Sequence, residues 1–534
     1  MHLRPAIACA SLIAGTLAVL SGTTAEAAST LPHARLGSGV GTLIEAESSS
    51  AVCTGTIDSD WAGYSGSGFC NGTNASGAYA QFTVNASAAG TATLQVRFAN
   101  GTTTARPADV TVNGSAAGSV AFEATGAWGT WVTRTLTVPV AAGSNTIRIS
   151  PTSSAGLPNI DYIDAEVSAA PTGTVLYVSP TGSDGAAGTE SAPTTLTSAI
   201  SRITPGGTIY LRGGTYAYSS TVTIPAGTDG TSGARTTLSA YPGETPVLNF
   251  SAQSESSTNR GIQLNASYWH LYGLTVEHAG DNGIYVGGSN NVIERAVTAY
   301  NRDTGLQLGR ISSSTPSSQW PSNNLIVSSE SHDNADSDGE DADGFAAKLT
   351  TGTGNVFRYD VSHHNIDDGW DLYTKTDTGA IGPVTIENSL SYNNGTLSDG
   401  TVNANGDRNG YKLGGDDIAV NHVVRHSIAY KNGHHGFTYN SNPGTMAISN
   451  NVSVDNAERN FSFDTGTSVF RTNTSCRFSV TGSKDKTIGD ADSSNQFWTG
   501  SNGSRCSAYS GALAWSFASD GHLVVTFGGN VVTP

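Results

Sequence analysis

The sequence predicts an all-β chain, a β-sandwich followed by a parallel β-helix. Three observations carry this. A glycine followed by a large side chain recurs through the later part of the chain, a β-branched run and an asparagine stand ahead of most of these markers, and apolar and polar residues alternate through the earlier part. Composition agrees. Of 534 residues only 13% are charged, against a usual ~25%, while 64 are glycine and the formal net charge is −17. That balance disfavours a coiled coil, a basic nucleic-acid binder and charge-rich disorder. An acidic chain can hold a polyanion only through local cations or a bound metal.

Residues 1–27 read as a secretory signal rather than as part of the fold. His2 and Arg4 precede the apolar stretch Ala6 to Leu20, and Ala25-Glu26-Ala27 offers a small-x-small cleavage site. No other stretch approaches the ~20 apolar residues of a membrane span, so a secreted protein with no membrane partner is expected. Beyond Cys9 in this leader, Cys53 and Cys70 lie close together near the start, and Cys476 and Cys506 near the end. Four cysteines allow three pairings. Their spacing favours the two local ones, and export suits disulfides.

Residues 36–168 read as the sandwich. Ala80, Phe82 and Val84 alternate with Tyr79, Gln81 and Thr83, and Leu94, Val96 and Phe98 with polar neighbours, between Gly, Asn and Ser clusters. A Pro- and Gly-containing seam, residues 169–174, suits a linker. From 175 to 470 the marker pairs are Gly283-Ile284, Gly305-Leu306, Gly344-Phe345, Gly369-Trp370, Gly410-Tyr411 and Gly436-Phe437, with Asn460-Phe461 in the analogous place. The basic period is 22–26 residues, and two units carry insertions. Asn301, Asn365, Asn432 and Asn456 each stand four residues before a marker, and Asn394 looks like the same residue displaced. Strand, Asn turn and strand at this period indicate a parallel β-helix. A β-propeller repeats nearer 40–50 residues. Residues 471–534 are expected to form a C-terminal cap on the last coil or an extension of the β-helix.

Equivalent residues of successive coils stack about 4.8 Å apart, so the marker glycine serves as a ruler. Asp343 and Asp368 stand one residue before it in adjacent coils, Asp367 two before it and Asp371 two after it. Carboxylates this close cannot all ionise without a cation, and an all-oxygen set suits a hard ion, Ca²⁺ foremost. A turn rich in solvated Asp is the plainer alternative. Lys412 lies two residues after Gly410, the place of Asp371 one coil earlier, while Arg408 and Asn409 would stack on Asp367 and Asp368. A lysine there is either an ion-pair partner or, with a metal claiming the carboxylates, a base whose pKa the cation lowers. Metal plus lysine suits removal of a proton α to a carboxylate: the C5–H of a uronic acid, followed by β-elimination of the C4 oxygen.

The segments Asp341-Ala-Asp-Gly-Phe-Ala-Ala-Lys348, Asn365-Ile-Asp-Asp-Gly-Trp-Asp-Leu372 and Asn409-Gly-Tyr-Lys-Leu-Gly-Gly415 resemble polysaccharide lyase family 9, pectate lyases with a right-handed parallel β-helix. The resemblance implies Ca²⁺ on Asp343, Asp367, Asp368 and Asp371, Lys412 as Brønsted base, and pectate or polygalacturonate as substrate. The connection before Lys412 is longer than the family pattern. Thr42-Leu-Ile-Glu-Ala-Glu-Ser48, which places Glu45 and Glu47 on one strand face, with Arg97-Phe-Ala-Asn-Gly101, Arg106-Pro107, Trp128-Gly-Thr-Trp131 and Asn159-Ile-Asp-Tyr-Ile-Asp164, resembles carbohydrate-binding modules of families 35 and 6 over nearly all of residues 36–168. This implies a structural Ca²⁺ on Glu45, Glu47 and Asp161 and a sugar site using Tyr64, Trp128 and Asn159, with Trp128 outward and Trp131 inward. A monomer is expected. Competing readings are a rhamnogalacturonan lyase, a polygalacturonase-type hydrolase, which needs paired carboxyl groups rather than a lysine, and a non-catalytic wall-binding protein.

Overall fold

The computed structural model describes residues 42–86, 89–169, 173–479 and 482–532. The leader expected at 1–27 and seam residues 170–172 lie outside the described residues. No helix among the described residues is long and apolar enough to cross a membrane.

Two antiparallel sheets of six and five strands form the sandwich. Strand Ala80–Ala86 shows why: Ala80, Phe82, Val84 and Ala86 point into the core while the residues between them face outward. Cys53 and Cys70 are bonded and join the two sheets, a link that typically contributes ~2–4 kcal/mol. Strand Thr42–Glu45 ends at Glu45, so Glu47 lies in the turn after it, not on the same strand face as the sequence implied.

Three parallel sheets of 12, 10 and 10 short strands form the β-helix. The marker pair now has a physical cause. Its large residue points inward, and Phe345, Trp370, Tyr411, Phe437 and Phe461 stack along the axis with ring centroids 5.0, 4.9, 4.6 and 5.1 Å apart, close to the interstrand spacing. Its glycine faces an asparagine ladder. Asn301, Asn334, Asn365, Asn394, Asn432, Asn456 and Asn460 are buried, and each side-chain amide donates to the next carbonyl at 2.8–3.0 Å. A Cβ at Gly369 would sit 2.2 Å from Ser391 Oγ and 2.8 Å from Asn394 Nδ2. Asn460 takes the glycine's place where the ladder ends, its own amide passing to Cys476 O at 2.9 Å.

The first coil is covered by helix Leu196–Arg202, which buries Leu196, Ala199 and Ile200 and is capped by Thr195 Oγ1 accepting from Ser198 N. The far end lies within residues 471–534, the expected cap or extension of the β-helix. Helical strands continue through Asp490–Ala491. Beyond them, Cys506 is bonded to Cys476, and strands Leu513–Phe517, Leu523–Phe527 and Asn530–Val532 form a separate antiparallel sheet. It packs along the side of the coil stack, over Val361, Leu390, Ile428 and Val452. Trp515 Nε1 donates to Tyr392 Oη at 3.1 Å. At its hairpin tip, Arg295 Nη2 donates to Ala518 O at 2.9 Å, Ser328 Oγ to Gly521 O at 2.7 Å, and Ser519 Oγ to Asp164 of the sandwich.

Candidate active site

One outward row crosses a ten-stranded sheet: Tyr285, Gln307, Ala346, Asp371, Lys412, Thr438 and Ser462, each paired with the next. Asp371 and Lys412 are therefore direct neighbours, and the long connection before Gly410 does not shift the register. Asp343, Asp368 and Asp371 each offer an oxygen within 4.8 Å of the others. All three are 3% exposed or less.

Asp367 stands at the edge of this group. Its Oδ1 accepts from the backbone N–H of Asp407 and, at 3.1 Å, of Arg408, while Asn409 N donates to Asp368 Oδ1. Arg408 and Asn409 thus meet Asp367 and Asp368 as expected, but through their backbones. The Arg408 side chain lies across Gly395 and Gly433, and Asn409 Oδ1 accepts from His435 N at 3.2 Å.

Burial, then the mutual repulsion of these carboxylates, pushes Asp367 well above the ordinary range. Asp343 is also well above it, through burial that Lys348 only partly offsets. Asp368 is raised to about 6, chiefly by burial. Asp368 Oδ2 and Asp371 Oδ1 are buried and accept no hydrogen bond. An all-oxygen, charge-crowded cluster with two such atoms fits a hard divalent cation.

Lys412 Nζ lies 2.9 Å from Asp407 Oδ2, 3.3 Å from Asp368 Oδ2 and 3.7 Å from Asp371 Oδ2. Burial lowers its pKa, but Asp371, Asp368, Asp367 and Asp407 outweigh burial and hold it well above the ordinary lysine range. The groups facing the amine here are negative, whereas a cation held by these carboxylates would act in the opposite sense and lower the amine's pKa. Two participants were not singled out from sequence. Asp407 sits in the long connection, where no coil register points to it. Lys348 closes the motif Asp341–Lys348, and its Nζ is 2.8 Å from Asp343 Oδ2 and 3.5 Å from Asp371 Oδ2.

Residues 176–473 match the Pel9A-like, right-handed beta helix region. The chain belongs to the Pel9A-like family. Over 325 residues it is 58% identical to pectate lyase L of Paenibacillus polymyxa (strain SC2), covering 60% of this chain and 72% of that protein. Identity to pectate lyase L of Thermoclostridium stercorarium is 46% over 290 residues, 54% of this chain but only 23% of that longer protein. The crystal structure of pectate lyase Pel9A superposes with a TM-score of 0.54 at 28% identity, covering 67% of this chain and 88% of that one. Residues 45–166 match the carbohydrate binding module (family 6).

In this Pel9A-like protein Glu45 and Asp161 of the module share Ser65 as a partner, while Glu47 bonds to the neighbouring Ser67. Ser65 Oγ donates to both Glu45 oxygens at 2.9 and 2.8 Å, Ser65 N to Asp161 at 3.0 Å, and Ser67 N to Glu47 at 2.6 Å. Arg97 pairs with Asp161, and Glu47 Oε2 is buried without a partner. Burial is the largest influence raising both Glu45 and Asp161. Trp128 covers Gly101, with the Arg106 guanidinium 5.2 Å from its ring centroid. Trp131 packs on Phe69 and donates to Ala62 O at 3.0 Å. Asn159 is buried and pairs with Ala99. Tyr64 packs against Phe69 with ring centroids 5.7 Å apart.

Proposed function

We propose that this chain is a secreted, Ca²⁺-dependent pectate lyase that cleaves polygalacturonate by β-elimination. The single observation that carries the reading is the direct pairing of Asp371 with Lys412 beside Asp343 and Asp368, within a family whose named relatives are pectate lyases. Asp343, Asp368 and Asp371, with Asp367 at their edge, would hold the ion. Bound there, Ca²⁺ would draw charge from the uronate carboxylate and acidify C5–H.

Lys412, once neutral, takes the C5 proton. The C5–H electron pair becomes the C4–C5 double bond, the C4–O bond breaks, and the leaving oxygen collects a proton from solvent. The products are an unsaturated uronate at a new non-reducing end and an ordinary reducing end. Asp407, 2.9 Å from Nζ, orients the amine. Two disulfides support export, and the sandwich supplies a second attachment to wall polysaccharide. Incubation with polygalacturonate tests the reading. Ultraviolet absorbance from the conjugated double bond should rise in step with reducing ends, whereas reducing ends without absorbance would mean hydrolysis.

A further inference from the structure

We infer that Tyr373 is the aromatic platform on which a sugar ring bound beside Lys412 rests. The inference rests on the uronate-lyase reading and adds a substrate-contacting residue to it. Tyr373 follows Asp371 by two positions, with the fully buried Leu372 between them, so its side chain returns to the outward face that carries Asp371 and Lys412. Tyr373 is part-exposed, and Lys412 Nζ lies 5.5 Å from its ring centroid.

The ring is held in place on two sides. A Cβ at Gly415 would come within 2.2 Å of Tyr373 Cε2, so the ring lies directly against that glycine. Tyr373 Oη donates to Asp416 Oδ1 at 2.7 Å, and Asp416 Oδ2 accepts from Thr376 N at 2.8 Å and Thr376 Oγ1 at 3.0 Å. With its hydroxyl committed to Asp416, Tyr373 offers a flat apolar surface beside Lys412 rather than a proton. Fixed aromatic rings beside polar groups suit the C–H face of a pyranose. Leu or Ala at 373 would leave the backbone of Gly415 to form that wall.

The test uses the full-length Lys412→Ala protein, so that substrate is bound but not consumed, with Ca²⁺ and a short oligogalacturonate in a calorimeter. Adding Tyr373→Ala should weaken oligogalacturonate binding about tenfold while Ca²⁺ binding stays unchanged. Tyr373→Phe, which keeps the ring and loses only the Asp416 bond, should stay within about threefold. Unaltered affinity in Tyr373→Ala would overturn the platform. So would an equal loss in Tyr373→Phe, because the hydroxyl bond and not the ring would then matter. If Lys412→Ala itself takes up no oligogalacturonate, the uronate-lyase reading falls and the platform falls with it.

Discussion

At the scale of single residues, the site is a contest between burial and charge. Four buried aspartates and two lysines share a small volume, and neither set reaches its working protonation state unaided. Asp368→Ala removes a ligand whose Oδ2 accepts no hydrogen bond. It should weaken Ca²⁺ binding roughly 10- to 100-fold, and calorimetry showing unchanged Ca²⁺ affinity would place the ion elsewhere. The pH profile follows from Lys412. A lysine is a base only when neutral, its unperturbed pKa is about 10.4, and the surrounding carboxylates raise it further, whereas a bound cation opposes that rise. Activity with Ca²⁺ supplied should therefore climb from neutral toward alkaline pH. An acidic optimum, where Asp and Glu titrate (about 4), would contradict lysine catalysis.

At the scale of the element, the coil explains what could and could not be read from sequence. The marker glycines were legible because two constraints meet there, an inward aromatic and an outward clash with the ladder. Asn334 was not legible, because the acidic insertion before Gly344 separates it from its marker; its ladder bonds, from Asn301 at 2.9 Å and to Asn365 at 2.8 Å, reveal it. Lys412 was legible because coil register transmits position across sequence gaps. Asp407 was not, because a loop has no register. Tyr64 and Trp128 came from resemblance, and the fold sends them to different neighbours. The element also yields a prediction. Gly369→Ala drives a Cβ toward Ser391 Oγ and to 2.5 Å from Gly410 O, so it should cost about 1–3 kcal/mol and displace the flanking Asp368 and Asp371. Thermal unfolding and activity measured together check this. An unshifted melting temperature would mean that the ladder yields easily.

At the scale of the whole molecule, the C-terminal sheet changes the expected picture of two domains joined only by a seam. Its hairpin tip contacts Arg295 and Ser328 of the β-helix and Asp164 of the sandwich. The role of this segment was invisible in sequence because its partners lie hundreds of residues away. Arg295→Ala combined with Ser519→Ala should loosen the sandwich from the coil stack. X-ray scattering should then show a larger radius of gyration, cleavage of soluble oligogalacturonate should be unchanged, and action on insoluble walls should fall. An unchanged scattering profile would mean that other contacts hold the two parts together.

The central claim is metal-assisted elimination with Lys412 as base. One measurement tests it most directly: ultraviolet absorbance on polygalacturonate for the native protein with Ca²⁺, after chelation, after Ca²⁺ is restored, and for Lys412→Ala with Ca²⁺. The account requires a rise that chelation stops and Ca²⁺ restores, and no more than a few per cent of that rate in Lys412→Ala, whose melting temperature and Ca²⁺ binding stay close to native. Unsaturated product formed equally fast under chelation, or by Lys412→Ala, would contradict it.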